Sequence, residues 1–367
     1  MPSKDDFRAA GLYDPEVHSE GLLEMLDWLA DRDFSLDEMV EALEAGALGA
    51  LAADRALVPT PMLPRAEAIE VSGLAPEHFD EISTAFGYVP LTVSPSADVG
   101  YTRGDAEAFA SLDRLASLFN HDESLSLIRV FGAAVTRMAD AAVSMFLSEV
   151  ESQHIEQDGT DLELALKGLA GVEALDGTMA GLEPVMRRHV MQAIERSRRA
   201  TIDWEERIVY RYSIGFVDLV GFTSLSGEMD GRELATFLRD FEARAFEVVT
   251  QAGARVVKLI GDEVMFAATD PADACRAARG LMEAFVTTDD EVLPRGGLAF
   301  GEVLVRGGDY YGSIVNLASR LVDEAVPQEV LVTGDFVDAA PGCTFLPAGR
   351  RMVRGFPEPI TVWSMEA

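Results

Sequence analysis

Three short segments in the second half of the chain contain the residues best suited to chemistry. In the first, an apolar run ends in Asp218 and is followed by a turn at Gly221. A carboxylate at the end of a strand can ligate a hard cation. The backbone N–H groups that begin the next turn, at Phe222 and Thr223, can receive phosphate oxygens. Alone, an aspartate at such a junction is more often a cap or turn residue.

The other two segments add complementary groups. Two apolar runs meet at a Gly-Asp dipeptide, which predicts a β-hairpin with Asp262 at its tip and Lys258 inside its first strand. Further on, Asp309 precedes a helical stretch in which Asn316 and Arg320 are four residues apart and therefore share one face. Each pattern has an ordinary structural explanation, so only their combination points to a site.

Taken together, the segments FVDLVGFT, KLIGDEVMF and DYYGSIVNLASR resemble the catalytic domain of class III nucleotide cyclases, specifically the adenylate cyclases. The resemblance covers about residues 208–365. It implies conversion of ATP to 3′,5′-cyclic AMP and pyrophosphate, by attack of the ribose 3′-hydroxyl on the α-phosphorus. It also implies two divalent cations per site, Mg²⁺ or Mn²⁺, held by Asp218, Asp262 and the backbone carbonyl of Leu219.

The resemblance assigns a role to each remaining polar residue of these segments. Lys258 and Asp309 match the pair that reads adenine. Asn316 and Arg320 match the residues that act on the ribose and on the charge developing at the phosphate. Arg354 stands where relatives often carry a lysine that contacts the triphosphate, and a guanidinium binds with different geometry.

The chemistry of the adenine edge supports this assignment. Adenine offers an acceptor at N1 and donors at N6, so a lysine can donate to it and an aspartate can accept from it, whereas guanine reverses that edge. Lys258 with Asp309 therefore favours ATP over GTP. Guanylate cyclase, diguanylate cyclase (because of the GDEVMF segment) and a nucleotide-binding sensor without turnover remain alternatives.

The family resemblance also implies a partner. Class III catalytic domains pair head to tail and build each site from both chains. This chain carries the metal-binding and base-reading sets once each, which predicts a homodimer with two shared sites.

The elements that position these residues change near residues 200–208. After this point, apolar strands and amphipathic helices follow the order β-α-β-β-α-β, which predicts an α+β fold with a ferredoxin-like antiparallel sheet. Before it, residues with helical periodicity predict helix after helix, with Ser35 as one N-cap. We therefore predict an all-helical regulatory domain at 1–185, a basic helical connector at 186–207 and a cyclase catalytic domain at 208–367.

The net charge of the chain limits the classes of partner that it can bind. The 367 residues include 30 Lys+Arg and 63 Asp+Glu, and the resulting net charge of −33 argues against nucleic acid or an anionic membrane as a partner. A helix–turn–helix pattern at 67–88 carries mostly acidic residues, which favours helix packing over DNA binding. The apolar stretch 125–150 is interrupted by Arg129, Arg137 and Asp140, which predicts a buried helix rather than a membrane span. We expect a cytoplasmic protein.

The first half also suggests how activity is regulated. All five histidines lie before residue 200, and His189 lies in the basic connector beside Arg187, Arg188 and Arg196. Protonation of histidine near neutral pH is one hypothesis for a switch. Ordinary polar or capping histidines are the alternative. A small or lipid-like ligand among the apolar helices is a further hypothesis.

Overall fold

The computed structural model describes residues 2–58, 62–89, 100–156, 159–200, 209–286 and 292–366. The chain divides into two units, Met1–Met186 and Arg187–Ala367. The first is helical and the second is built around one mixed β-sheet.

The helices that begin in the first unit form a continuous series. A 3₁₀ turn at Leu48–Ala50 and a π-helical turn at Leu147–Glu151 accompany them. The helices are α1 (Lys4–Ala9), α2 (Glu20–Ala30), α3 (Leu36–Glu44), α4 (Leu51–Leu57), α5 (Arg65–Ser72), α6 (Pro76–Phe86), α7 (Arg103–Ala116), α8 (His121–Phe146), α9 (Ser152–Glu156) and α10 (Asp161–Ala200).

Two small cores stabilise this unit. One packs Leu26 and Leu29 of α2 against Met39 of α3. The other packs aromatic residues of α6 and α7, with Phe79 and Phe109 rings 5.2 Å apart and nearly perpendicular. The predicted N-cap is confirmed, because the Ser35 hydroxyl accepts a hydrogen bond from the Glu38 amide as part of a capping box.

The expectation of a buried helix at 125–150 is wrong. At 1.5 Å per residue the 26 residues of α8 span about 39 Å. Its buried residues, Ser124, Ile128 and Gly132, all lie in its first half. Its later turns expose apolar side chains such as Val143 and Met145. Among the described residues, the helix from His121 to His154 is long and apolar enough to cross a membrane, by length and composition alone.

The end of the predicted helical domain and the predicted basic connector form one helix over the described residues. Helix α10 runs for 40 residues, with Pro184 inside it. A proline removes one helical hydrogen bond without necessarily ending a helix, and the surrounding pattern continues on both sides. The predicted connector is therefore the C-terminal part of α10 as far as Ala200, and residues 201–207 of it lie outside the described residues.

The second unit alternates strands and helices. Its strands are β1 (Val209–Val220), β2 (Arg255–Ile260), β3 (Glu263–Ala268), β4 (Leu293–Arg306), β5 (Asp309–Tyr311), β6 (Val330–Thr333), β7 (Phe345–Arg351) and β8 (Ile360–Met365). Its helices are α11 (Phe222–Ser226), α12 (Gly231–Gln251), α13 (Pro271–Ala284), α14 (Ser313–Glu324) and α15 (Gly334–Ala339).

The predicted α+β class and ferredoxin-like sheet are confirmed. The order β2-β3-β1-β4 is antiparallel throughout and arises from the predicted β-α-β-β-α-β succession. The sheet then continues through β6, β8 and β7, with β6 parallel to β4 and the others antiparallel. Strand β5 pairs with the far part of β4.

Side-chain alternation divides the core of this unit into two layers. Val217 and Leu219 of β1 pack with residues of α12 and α13 on one face of the sheet. Ile214 and Phe216 pack with α14 on the other face. Because successive strand residues point to opposite faces, Asp218 lies on the α14 face. The alternation of side chains between the two packed faces of the sheet therefore places the site on the α14 face.

Candidate active site

Asp218 lies near the end of β1, where it meets a residue that sequence reasoning missed. Arg295 of β4 is its cross-strand neighbour, and the guanidinium donates to Asp218 Oδ2 from Nη2 at 3.0 Å and from Nε at 3.3 Å. About a fifth to a quarter of each side chain is exposed, 21% for Asp218 and 24% for Arg295. Arg295 therefore holds the Asp218 carboxylate in place. Only the strand register identifies it, because 77 residues separate the two.

Asp262 lies at the tip of the β2–β3 hairpin, as predicted. Ile260 pairs with Glu263, so Gly261 and Asp262 form a two-residue turn. Gly261 has φ 65°, a conformation that glycine adopts readily and other residues rarely do. Burial first, and the nearby Asp218 carboxylate second, raise the pKa of Asp262 to about 6. The hairpin thus brings Asp262 to the end of β1 carrying Asp218.

Glu263 is a third carboxylate in this region, and sequence reasoning did not single it out. Burial is the main reason that its pKa is raised to about 7, followed by the charges of Asp218, Asp323 and Asp262. The signal was available in the sequence, since Glu263 directly follows the Gly-Asp turn and begins a strand. Asp323, which influences the pKa of Glu263, lies on α14, so this helix forms one side of the acidic region.

The donor set at this position fits hard divalent cations. Asp218 and Asp262 are close enough for a side-chain hydrogen bond between them, so at neutral pH two carboxylates compete for one region. A cation relieves that repulsion. Carboxylate oxygens are what Mg²⁺ and Mn²⁺ prefer. The Leu219 amide is close enough to Asp262 to lower the pKa of its carboxyl, so the Leu219 main chain lies at the same place.

Lys258 and Asp309 form a direct ion pair, although 51 residues separate them. Lys258 Nζ donates to Asp309 Oδ2 at 2.6 Å. The second oxygen, Oδ1, accepts from the Tyr310 amide at 2.8 Å, which fixes the carboxylate plane. The turn between β4 and β5 has Gly307 and Gly308 at φ 60° and 81°, the requirement of a type I′ hairpin. That hairpin places Asp309 opposite β2.

Asn316 and Arg320 lie on α14, one turn apart. Leu317, Ala318 and Leu321 of the same helix are buried against the sheet. Asn316 is exposed and Arg320 is partly exposed. Arg320 Nη1 donates to Asp323 Oδ2 at 3.3 Å. Asp323 therefore links the guanidinium of Arg320 to the acidic region around Glu263.

The remaining predicted site residues divide into three cases. The Phe222 ring is buried and stacks on Phe237 at 5.0 Å, so only its main chain is available to a phosphate. The Thr223 side chain lies outside the described residues. Arg354 is exposed between β7 and β8, in a turn where Val353 is buried. Its role as a triphosphate contact stays a prediction.

The predicted regulatory residues lie in the C-terminal part of α10. His189, Arg187 and Arg188 are exposed, and Arg196 is partly buried. A more extensively bonded histidine lies in the first unit. His78 contacts both Asp113 and Glu81, and its pKa is raised, chiefly by the hydrogen bond to Asp113. Sequence position alone had favoured His189.

Residues 208–366 match the family described as the adenylate and guanylate cyclase catalytic domain. Over almost the whole chain, the sequence is 32% identical to an uncharacterized protein of Mycobacterium tuberculosis, with 98% of this chain and 93% of that protein covered. The family match over residues 208–366 defines the class. The chain belongs to the class III nucleotide cyclases and is a cyclase enzyme, as its motifs predicted.

Two further relatives carry functional names. An adenylate cyclase of Streptomyces griseus is 35% identical over 249 residues, which cover 65% of this chain and 61% of that enzyme. A protein named pH-sensitive adenylate cyclase, from Mycobacterium tuberculosis, is 28% identical over 306 residues, which cover 79% of this chain and 74% of that enzyme. The similarity to both extends upstream of the catalytic domain, because each matched length exceeds it.

Proposed function

We propose that the enzyme is an adenylate cyclase, which converts ATP to cyclic AMP and pyrophosphate. The observation that carries the choice of base is the Lys258–Asp309 pair, held at 2.6 Å by two strands. A lysine donor beside an aspartate acceptor complements N1 and N6 of adenine. With guanine, the same two groups would face N1–H and O6 in the wrong order, and each mismatched buried group costs about 1–3 kcal/mol.

The protein's own groups divide the remaining work. Asp218 and Asp262 would hold divalent cations, which would supply the charge that acidifies the ribose hydroxyl and compensates the triphosphate. Arg295 keeps Asp218 oriented toward that position. Asn316 holds the ribose so that attack is in line, and Arg320 stabilises the charge that develops on the phosphoryl oxygens. We assign two cations per site and leave the ranking of Mg²⁺ and Mn²⁺ to experiment.

The test is product identification. Purified full-length protein is incubated separately with ATP and GTP in the presence of Mg²⁺ or Mn²⁺, and the products are separated by chromatography. Cyclic AMP formed at least about tenfold faster than cyclic GMP supports the proposal. Cyclic GMP or cyclic di-GMP as the main product would establish one of the rival cyclases. The Asp218→Asn variant controls for a contaminating cyclase.

We also propose that two chains share each site. The head-to-tail pairing of the family would supply Asp218 and Asp262 from one chain and the base-reading pair from the other. Asp218→Ala and Asn316→Ala proteins, each inactive alone, should regain activity when mixed, because one site of each heterodimer is then intact. A tagged pull-down verifies that heterodimers form. Their formation without recovered activity would reject shared sites.

Regulation by pH through the helical unit is proposed from the relative that bears that property in its name. His189 is the residue to test first, because it is exposed on the basic part of α10. The His189→Ala variant should change the shape of the pH–activity curve between about pH 5 and 8. His18→Ala, a change of the same type near the chain start, is the matched control. Superimposable curves for all three proteins would exclude His189 as the sensor.

A further inference from the structure

Two helices of the first unit, α6 and α8, bring together two imidazoles and a carboxylate outside the catalytic unit. His78 and Glu81 are three residues apart on α6 and share a face. His121 is the first residue of α8. One nitrogen from each histidine and one oxygen of Glu81 all lie within 4.8 Å of one another. The cyclase reaction described above uses none of these residues.

The spacing of these atoms matches the edges of a small coordination shell. His78 Nδ1 lies 3.4 Å from Glu81 Oε2, and His121 Nε2 lies 3.7 Å from the same oxygen. Zinc bonds of about 2.0–2.1 Å at tetrahedral angles separate neighbouring ligand atoms by about 3.3–3.4 Å. A single ion between the three helical side chains therefore needs movements of only a few tenths of an ångström at these two edges.

A second carboxylate orients the first histidine. His78 Nε2 lies 2.6 Å from Asp113 Oδ1, on α7. In neutral imidazole, a proton on Nε2 that is donated to Asp113 leaves Nδ1 as a lone pair directed at Glu81. Two acceptors then face each other across 3.4 Å, an arrangement that requires a proton or a cation between them. A carboxylate behind the ligating histidine is the usual outer shell of protein zinc sites.

We propose that His78, Glu81 and His121 form a binding site for a divalent ion of the Zn²⁺ class, with Asp113 as the positioning residue behind His78. Two nitrogen ligands favour Zn²⁺ over the Mg²⁺ that an all-oxygen set selects. Three protein ligands leave the fourth tetrahedral position to water. The ligand side chains are 35–57% exposed, so the ion has access from solvent. Occupancy joins α6, α7 and the start of α8.

The experiment uses Co²⁺ as a visible probe of the full-length protein, with Mg²⁺ in excess. A tetrahedral Co²⁺ site with nitrogen ligands should give a saturable visible absorption band at one ion per chain, which Zn²⁺ abolishes by displacement. His121→Ala should remove the band, and Glu81→Gln should weaken Co²⁺ affinity at least about tenfold. Asp113→Asn should weaken it about 10- to 100-fold, the range for outer-shell partners.

Two control variants separate this site from other metal binding. Asp218→Asn, which removes a catalytic ligand, and His189→Ala, which removes an exposed helical histidine, should both keep the band. His121 is 57% exposed at a helix start, so its truncation leaves the packed cores intact, and circular dichroism verifies this. Equal Co²⁺ binding by wild type and His121→Ala, or loss of the band in Asp218→Asn alone, overturns the proposal.

Discussion

Two groups of carboxylates, one in each unit of this protein, behave in opposite ways. In the helical unit, Asp6 and Glu163 accept hydrogen bonds from the amides of Ser3 and Thr160 at helix starts, which lower their pKa values. In the sheet unit, burial and neighbouring carboxylates raise the pKa values of Asp262 and Glu263 to about 6 and about 7. The first two carboxylates have hydrogen-bond donors from their own helix starts, whereas the second two lie close to other carboxylates.

The difference explains where chemistry is possible in a chain with a net charge of −33. A capping carboxylate already has its hydrogen bonds and gains little from a cation. Asp218 and Asp262, which lie close together at the end of β1, are stabilised strongly by a divalent ion, because the ion replaces their mutual repulsion by attraction. The acidic excess is therefore compatible with an anionic nucleotide, provided that cations occupy the crowded site.

The largest expected effect is the loss of activity when one of the two crowded carboxylates, each a proposed metal ligand, is replaced. Asp218→Asn and Asp262→Asn should each reduce kcat by at least about 10³-fold, because each loses a charged oxygen ligand of the catalytic cations. Asp240→Asn, on the exposed part of α12, should leave kcat within about twofold. Initial rates of cyclic AMP formation measure all three. Comparable rates for the site and control variants would refute the assigned ligands.

The next effect concerns the base-reading pair. Lys258→Ala should lower kcat/KM for ATP by about 5- to 150-fold, since Asp309 then keeps its charge without its partner, at about 1–3 kcal/mol. The ratio of ATP to GTP turnover should fall at the same time, which a purely structural defect would not cause. Competition assays with both nucleotides measure that ratio. Arg306→Ala, which removes a cation at the end of β4, serves as the control.

The pKa of Asp262 predicts a pH-dependent metal requirement. Below about pH 6, Asp262 carries a proton that a cation must displace. The half-saturating Mn²⁺ concentration should therefore rise by up to about tenfold for each pH unit below 6 and level off above 7. Activity titrations with Mn²⁺ at several pH values measure this. A flat requirement between pH 5 and 7 would show that Asp262 is not the titrating ligand.

Glu263 predicts a smaller effect, on stability. Its pKa is raised from 4.5 to about 7 in the folded state, so folding is destabilised as pH rises through that window. Glu263→Gln mimics the protonated form. It should match wild type at pH 4 and melt about 2–4 °C higher at pH 8, after allowance for partial exposure. Differential scanning calorimetry without added metal would detect the difference, and a lower Tm at pH 8 would contradict it.

A second effect on stability tests the backbone of the turn formed by Gly261 and Asp262. Gly261→Ala should destabilise the protein by about 1–2 kcal/mol, because alanine is strained at φ 65° although nothing lies within 4 Å of its new Cβ. Gly231→Ala, equally unobstructed but at the start of α12, should be neutral or slightly stabilising. Urea denaturation measures both, and equal effects would exclude backbone strain as the cause.

Much of the catalytic unit was predictable from sequence. The strand-end Asp218, the Gly-Asp hairpin and the shared face of Asn316 and Arg320 follow from local periodicity and turn chemistry, which act over a few residues. The β-α-β-β-α-β order followed in the same way, and with it the ferredoxin-like sheet. Local rules failed for α10, because a proline inside a long amphipathic pattern does not necessarily end a helix.

Contacts between distant segments required the tertiary structure. Cys275 and Cys343 are far apart in the sequence, yet both are free thiols, and burial together with the neighbouring Cys343 raises the pKa of Cys275. The Arg295–Asp218 pair depends on strand register. Residue patterns specify which face of a strand or helix is apolar, but several pairings can satisfy the same pattern. Packing of the whole chain selects one of them.

The sequence by itself thus determined the family and the fold of the catalytic unit, and it predicted which groups react. The tertiary structure decided which charges meet: Lys258 with Asp309, Arg295 with Asp218, and His78 with Asp113. The physical reason is the distance along the chain over which each kind of interaction acts. Helix propensity, turns and alternation are encoded within a few residues, whereas an ion pair across strands or helices exists only after the intervening chain has folded.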